Sequence, residues 1–472
     1  MGVAVAELPA DRMSADGMPA GVSGLPVGVS GGVSGAVSAG LAAARPPLIR
    51  AINEQLLLEH IRASGPCSRA DLARLSGLSK PTVSLALANI ERAGLVRLAG
   101  QRTGLPGRSA LLYEIRPDAG FVLALDIGLK YLRGAVADLA GAVRSRASWP
   151  VQASGLGDRM TELVRLADDL CAQAGISRAA VTQTVIGCPG IYDPKRNVMA
   201  LTGGLPDWDR PEALAGLRGA FGLSLAIEND VDAAALAERA QGHGQHFDDF
   251  AFVHVGTGIG MGLVLGGRLH RGAHGVAGEI AFMPVSLDPA VEYGIDPYDD
   301  HAYADHRYVD HPYADHPYAD YAAGFGAGPG FDPDVDPAEA RRRGFLETVA
   351  GADGIVRAAR HAGMPAPLSA QAVFEAATQG DALAAAVVAR EARLVATAIC
   401  SLITVIDPAL VVLGGGIGRA PGFASAVTEE LRAMAPVLPE VRVSALGADV
   451  VVDGCLAEGT SLAWEQLTSG LQ

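Results

Sequence analysis

Residues 252–285 read FVHVGTGIGMGLVLGGRLHRGAHGVAGEIAFMPV, and the meaning of this run decides how the rest of the chain is read. Val253 and Val255 alternate with other side chains in the manner of a strand and lead into Gly256-Thr257-Gly258-Ile259-Gly260. There the missing Cβ atoms let backbone N–H groups approach a phosphate closely. Met261 to Leu265 resumes a strand, so the expectation is strand, tight turn, strand. Taken alone, a GTGxG run is as readily a glycine-tolerant hairpin. Its company separates the two readings.

A second turn, Asp126-Ile127-Gly128, ends the apolar strand Phe121 to Leu125, and Val411-Val412-Leu413 runs into Gly414-Gly415-Gly416. Strand-to-glycine turns spread this widely fit an α/β, actin-like nucleotide-binding fold in which each of two lobes offers a loop to the phosphates. A single-lobe dinucleotide domain would need only one such turn.

The chain has 472 residues, enough for two or three domains with substantial cores. About 49% of them are hydrophobic, but Arg390, Glu391 and Arg393 interrupt the longest apolar region, so no membrane span is expected. The opening MGVAVAELPADRM carries acids and no basic stretch before an apolar core, against a secretory leader, and does not suggest myristoylation. Cys67, Cys171, Cys188, Cys400 and Cys455 are scattered, without CxxC, and read as reduced thiols of a cytoplasmic protein. The net charge of −15 argues against nucleic-acid binding by the molecule as a whole, yet the charge is unevenly spread. Arg45 to Arg116 holds eleven Lys/Arg against five Asp/Glu, a local +6 that leaves −21 on the remainder. A basic module is attached to an acidic body.

Residues 1–46 are mostly Gly, Ala, Val, Ser and Pro without periodicity, a composition expected to stay disordered. From 47 to 116 the pattern is that of a winged helix-turn-helix. Leu56, Leu57, His60 and Ile61 recur at helical spacing until Ser64-Gly65-Pro66. Ser68 and Asp71 form a capping box, Leu72 and Leu75 are expected to face inward, and Gly77 makes the turn. Ser79 caps a third helix that tolerates Pro81 in its first turn and has Val83, Leu87 and Ile90 as its inner stripe. Lys80, Thr82 and Ser84 then lie where such motifs present side chains to the major groove. Strands Leu95 to Leu98 and Leu111 to Ile115 make the wing, with Arg102 and Arg108 at its tip to reach phosphates or the minor groove. A three-helix protein-interaction module is the plainer alternative, but capping, turn glycine, wing and local basicity agree on DNA.

The second domain, 119–470, opens with strand, turn, strand, then an amphipathic helix from Asp158 to Ala174. The strand Ser224 to Ile227 ends in Glu228-Asn229-Asp230, and a helix starts there. Asn229 and Asp230 read either as simple N-capping residues or as a carboxylate placed to take a proton from a sugar hydroxyl attacking ATP. At 286–337 the pentad Tyr-Ala-Asp-His-Pro recurs and spaces His301, His306, His311 and His316 by five residues. That period puts successive histidines on different faces, so a solvated insertion is expected rather than a metal site. A closing helix is expected from Gly459 toward Gln466.

The combination resembles the ROK family of repressors and sugar kinases, and within it the regulator branch with a winged helix-turn-helix ahead of the kinase-like domain. SRADLARLSGLSKPTVSLALANIERAGLV at 68–96 looks like the DNA-binding half. The kinase-like half matches at LALDIG (123–128), IGCPGIYD (186–193), IENDVDAAALAE (227–238), GTGIGMGLVLGGRLHRGAHGVAGEI (256–280), GFLETVAG (344–351) and VVLGGGI (411–417). The resemblance implies that Asn229, Asp230, Glu279 and Glu347 contact a sugar, with Asp230 where kinases keep the catalytic base. It also implies that Gly128, Gly256, Thr257, Gly258 and Gly415 border a nucleotide's phosphates. Departures stand beside the matches. Phe282 replaces the family's zinc-binding histidine and Phe345 a cysteine, and the insertion supplants the remaining cysteines, so a structural zinc is not expected. Gly204 stands where kinases usually have a sugar-binding Asn, and Leu129-Lys130-Tyr131 replaces Gly-Thr-Lys of the first phosphate loop.

Phosphoryl transfer needs tight positioning of sugar, base and phosphate, whereas sensing tolerates a looser site. The sequence therefore favours a transcriptional regulator, expected to repress carbohydrate genes, that binds a double-stranded operator as a homodimer or higher homo-oligomer and senses a sugar or phosphosugar. An ATP/Mg-dependent sugar kinase is the runner-up, and a scaffold acting through the insertion is a third reading.

Overall fold

The computed structural model describes residues 46–102, 110–193, 197–201, 205–283, 342–366 and 368–469. The expected N-terminal tail, the wing tip with Arg108, Gly204 and the pentad insertion with its four histidines lie outside these residues. Residues 51–472 form one compact unit that carries the winged helix and both large sheets.

The N-terminal part has helices α1 (Pro46–Ser64), α2 (Arg69–Ser76) and α3 (Lys80–Arg92), then strands β1 (Val96–Arg102) and β2 (Ala110–Ile115). The capping box is made as expected: Ser68 Oγ accepts from the Asp71 amide at 3.2 Å, and the Ser68 amide donates to Asp71 Oδ2 at 3.1 Å. Gly77 ends α2 in the left-handed conformation at φ 70°, where only glycine is unstrained. Ser79 caps α3 by accepting from Thr82 N. β1 and β2 pair as the wing, and Cys67–Ser68 adds a short third strand beside β2. One sequence expectation fails here. Leu72 is buried, but Leu75 is 43% exposed: three positions keep it near the same face of the helix, yet the apolar cluster closes over Leu72 and stops short of Leu75.

The remainder holds two five-stranded sheets built on the same plan. In the first, β3 (Phe121–Ile127), β4 (Tyr131–Asp138) and β5 (Val143–Pro150) form an antiparallel meander. β6 (Val181–Cys188) and β7 (Leu225–Asn229) are then added in parallel on the other side of β3, giving the order β7-β6-β3-β4-β5. The crossovers are helices α4 (Leu156–Gln173) and α5 (Pro211–Phe221).

After α6 (Asp230–Gln241) the plan repeats. β8 (Phe250–Val255), β9 (Ile259–Leu265) and a two-residue strand at Arg268–Leu269 make the meander. Helices α7 (Phe345–Val349), α8 (Gly351–His361), α9 (Ala370–Thr378) and α10 (Ala382–Ile406) follow. β10 (Leu410–Gly414) lies parallel to β8, α11 (Phe423–Met434) crosses over, and β11 (Glu440–Val443) completes the sheet. The duplication explains the repeated glycine turns: Gly128 and Gly256 each end the first strand of a repeat.

The last helix, α12 (Val450–Ser469), begins nine residues before the expected Gly459. Gly454 and Gly459 are interior to it, and a Cβ at either would overlap the Ala233 carbonyl or the Val122 side chain. Glycine here serves close packing of α12 on α6 and β3 rather than helix initiation. The far end of α12 meets the winged-helix segment. Trp464 Nε1 donates to Leu139 O at 3.3 Å, the Leu139 amide donates to Pro117 O at 3.2 Å, and one apolar cluster runs from Leu57 and Leu87 to Val122 and Trp464.

Candidate functional site

Four carboxylates gather where the two repeats meet: Asp126 at the end of β3, Asp230 opening α6, Glu279 in the turn after Gly278, and Glu347 in α7. The local folding is glycine-driven. A Cβ on Gly278 or Gly344 would overlap the Met261 or Ala281 carbonyl, so these two turns close onto β9 and the 280–282 helical turn only because both are glycine. The Gly344 contact also brings the two ends flanking the undescribed 284–341 segment together. Phe282 and Phe345 stand at these two ends. Among the described residues no group of three His, Cys, Asp or Glu could hold a metal ion.

Burial sets the chemistry of this cluster. It pushes Asp230 up to about 6 although part of its surface stays open. Glu279 rises to about 7 through burial and then through the charges of Asp230 and Glu347. Burial likewise raises Glu347, against the Ile259 amide and the Arg343 guanidinium that favour its ionised form. Glu347 Oε2 accepts from that amide at 3.1 Å, and Arg343 Nε donates to Oε1 at 3.2 Å. Groups poised near neutrality can accept from, or donate to, a sugar's hydroxyls. Asn229 is committed locally: Oδ1 accepts from Val231 N and Asp232 N at 2.8 and 3.1 Å, and Nδ2 donates to Gly190 O at 3.0 Å. It is an N-cap that also ties α6 to the Cys188-Pro189-Gly190 turn.

The phosphate-loop glycines are brought together in part. Gly415, at φ 79°, packs so tightly on Val255 that a Cβ would overlap its carbonyl, which places it beside the Gly256–Gly258 turn. The Gly256 amide is already bonded to Gly258 O at 3.0 Å, and the Gly128 amide to Tyr131 O at 3.1 Å. Arg159 NH1 donates to the Gly128 carbonyl at 2.7 Å. Thr257 is exposed at the turn's tip, and Gly258 lies against Glu347.

Sequence reasoning missed the cations of this region. Arg133 on β4 donates to Asp126 Oδ2 at 3.1 Å and lies over the Tyr131 ring. Burial nonetheless pushes Asp126 up to about 7. Arg271 makes a bidentate ion pair with Glu228 and reaches Glu458 of α12 at 3.2 Å. Beside them Asp232, 4% exposed, is driven up to about 8 by burial and by Glu228. Arg271, in a glycine-rich turn, gives no sequence clue to partners 43 and 187 residues away in the chain, whereas Arg133 faces Asp126 across the β3–β4 hairpin.

On the winged helix, Lys80 and Ser84 are exposed, while Thr82 is half-buried with its hydroxyl 2.8 Å from Ser79 Oγ. Arg102 is less free than a wing-tip residue should be: it pairs with Asp71 of the capping box at 3.0 Å. No helix among the described residues is long and apolar enough to cross a membrane.

Two sheets of duplicated topology around a carboxylate cluster define a sugar-kinase-like body, here preceded by a winged helix. Residues 122–457 match the ROK family and residues 53–108 the MarR family. The chain belongs to the ROK family, with a MarR-type winged helix ahead of the ROK domain. It is similar to the xylose repressor of Bacillus subtilis (strain 168), at 25% identity over 240 residues, which are 51% of this chain and 62% of that repressor. The match thus covers less than two thirds of that relative. The ROK hexokinase of Thermus thermophilus superposes with a TM-score of 0.53 at 27% identity, over 72% of this chain and 97% of the hexokinase. A ROK family transcriptional regulator, a homologue of the E. coli MLC protein, superposes with a TM-score of 0.66 over 90% of this chain and 98% of its own. Its identity of 22% speaks for the fold alone.

Proposed function

We propose that this chain is a DNA-binding transcriptional regulator of carbohydrate genes, a cytoplasmic repressor whose ROK domain binds a sugar or phosphosugar and dimerises. The observation that carries it is the pairing of a MarR-type winged helix with a ROK domain in one chain. The xylose repressors among its relatives point to a sugar as effector. Asp230, Glu279 and Glu347 hold the sugar's hydroxyls. Lys80 and Ser84 meet the operator, with Thr82 and Arg102 contributing less because both already have partners. A single winged helix reads a half-site, so the operator is expected to be palindromic and the protein a homodimer. The sugar regulates by binding one conformation more tightly than the other.

Metal–nucleotide chemistry fits these residues poorly. The Gly128 and Gly256 amides are already bonded, and a guanidinium stands beside the carboxylate that would face a cation. The second reading, a sugar kinase, rests on Asp230, whose carboxyl is retained and sits near 6, suited to a general base.

Fluorescence anisotropy on duplexes from upstream of the gene and its neighbours, with salt varied and a sugar panel added, tests the proposal. Sequence-dependent binding altered by one sugar supports the regulator. A lack of specific binding with ADP release in a coupled assay sinks it in favour of the kinase. In the same assay Lys80→Ala should lower the slope of log affinity against log salt by about one, the loss of one phosphate contact. An unchanged slope would remove Lys80 from the interface.

The sugar's affinity should also depend on pH. An ionised Glu279 accepts a hydroxyl, and with its carboxyl near 7 the affinity should climb roughly tenfold from pH 6 to pH 8. Calorimetry on Glu279→Gln should give a flat profile over that range, whereas a retained slope would assign it to Asp230 or Glu347.

A further inference from the structure

The outward face of α3 is not the one its charged residue suggests. With 3.6 residues per turn, Val83, Ala86, Leu87 and Ile90 form the stripe turned to the core, each no more than 3% exposed. The stripe directly opposite runs Pro81, Leu85, Ala88 and Arg92, with Ser84 beside it. Leu85 stands at its centre and is 59% exposed. Lys80 and Thr82 flank this stripe on either side, Thr82 turned back onto Ser79, and the Arg92 guanidinium donates to Asn89 at 3.0 Å. The most forward group on the recognition helix is therefore an isobutyl side chain bordered by a proline ring, a methyl and a hydroxyl.

A single exposed leucine is ordinary surface elsewhere. On this helix its place is specific, because the N-terminal half of a recognition helix lies against base edges in the major groove. Among the four bases only thymine offers an apolar group there, its 5-methyl, whereas cytosine offers an amino donor that leucine would leave without a partner. The module's local excess of basic residues supplies the attraction to the backbone that brings such a face into the groove.

We propose that Leu85 is a base-reading residue that recognises thymine through its methyl group. This rests on the DNA-regulator reading above. The alternative occupant of the face, another protein, is an outcome of the test.

The full chain is used to enrich duplexes from a random-sequence pool, and each thymine of the enriched half-site is then replaced singly by deoxyuridine, which lacks only the methyl. At one or two adjacent thymines the affinity should fall about fourfold, the equivalent of one methyl group returned to water. Leu85→Ala should bind the thymine and deoxyuridine duplexes equally at those positions, Leu85→Met should still tell them apart, and both should keep wild-type affinity for unenriched DNA. Leu85 is exposed, so folding is not at stake. Equal binding of thymine and deoxyuridine duplexes by the wild type at every position overturns the assignment, as does discrimination that survives in Leu85→Ala. An enriched sequence that Leu85→Ala binds unchanged gives the face to a protein partner instead. Failure to enrich any sequence overturns the regulator reading together with this one.

Discussion

Gly454→Ala should destabilise the protein by about 3 kcal/mol, at the upper end of overpacking costs, although alanine is the better helix former. A Cβ at this position overlaps the Ala233 carbonyl of α6, and backbone cannot rotate aside as a side chain would. α12 would have to lift. Glu458 lies one turn further along the same helix and pairs with Arg271, which in turn holds Glu228 beside the carboxylate cluster. The lifted helix should therefore weaken sugar binding as well as stability. Gly219→Ala is the control: it is also helical, but nothing stands within 4 Å of its Cβ, so it should be neutral or stabilising by a few tenths of a kcal/mol. Urea unfolding of the two variants decides the matter, and similar midpoints would mean that α12 does not pack as described.

Glu391→Gln should stabilise the protein in a pH-dependent way. Glu391 is 0% exposed in α10. Its Oε1 accepts from the Gly351 amide at 2.8 Å, and its Oε2 has no partner among the described residues. Burial pushes the carboxyl from 4.5 to about 7, against the Gly351 amide and Arg390. Because the folded state holds the proton more tightly than the unfolded chain, stability from this group falls as pH rises from about 4.5 to about 7 and stays low above. Glutamine keeps the acceptor for Gly351 and never ionises. The gain at pH 8 should be on the order of 3 kcal/mol and should vanish near pH 4.5. The next residue, Ala352, donates to Gly256 O at 3.0 Å, so the variant also tests whether this buried acid supports the glycine turn. Equal effects at pH 5 and pH 8 would exclude ionisation as the cause.

Much of this architecture is legible in the residues alone. Ser68 with Asp71, Gly77 and Ser79 read correctly because capping and left-handed turns are interactions among residues three or four apart. The strand-turn-strand at 252–265 reads correctly for the same reason. Its assignment to a two-lobed fold needs the recurrence of strand-to-glycine turns, which the duplicated sheets account for. The site is legible only as a set of names. Asp230, Glu279 and Glu347 do gather, but Asn229 proves committed to capping, and Arg102 to Asp71.

What the sequence by itself determined, then, is features whose partners are near in the chain: the caps of α2 and α3, the hairpins, the inner stripe of α3 and the uneven charge. Tertiary structure alone decided the rest. Gly454 and Gly459 look like helix breakers until α6 and β3 are seen to need their missing side chains. Leu75 counts as core, and Leu85 passes unremarked, until the helices are packed and both face outward. Arg271 shows no partner until Glu228 and Glu458, far from it in sequence, are brought beside it. Local rules act over one turn of helix or one hairpin, whereas burial and ion pairing depend on which distant surfaces meet.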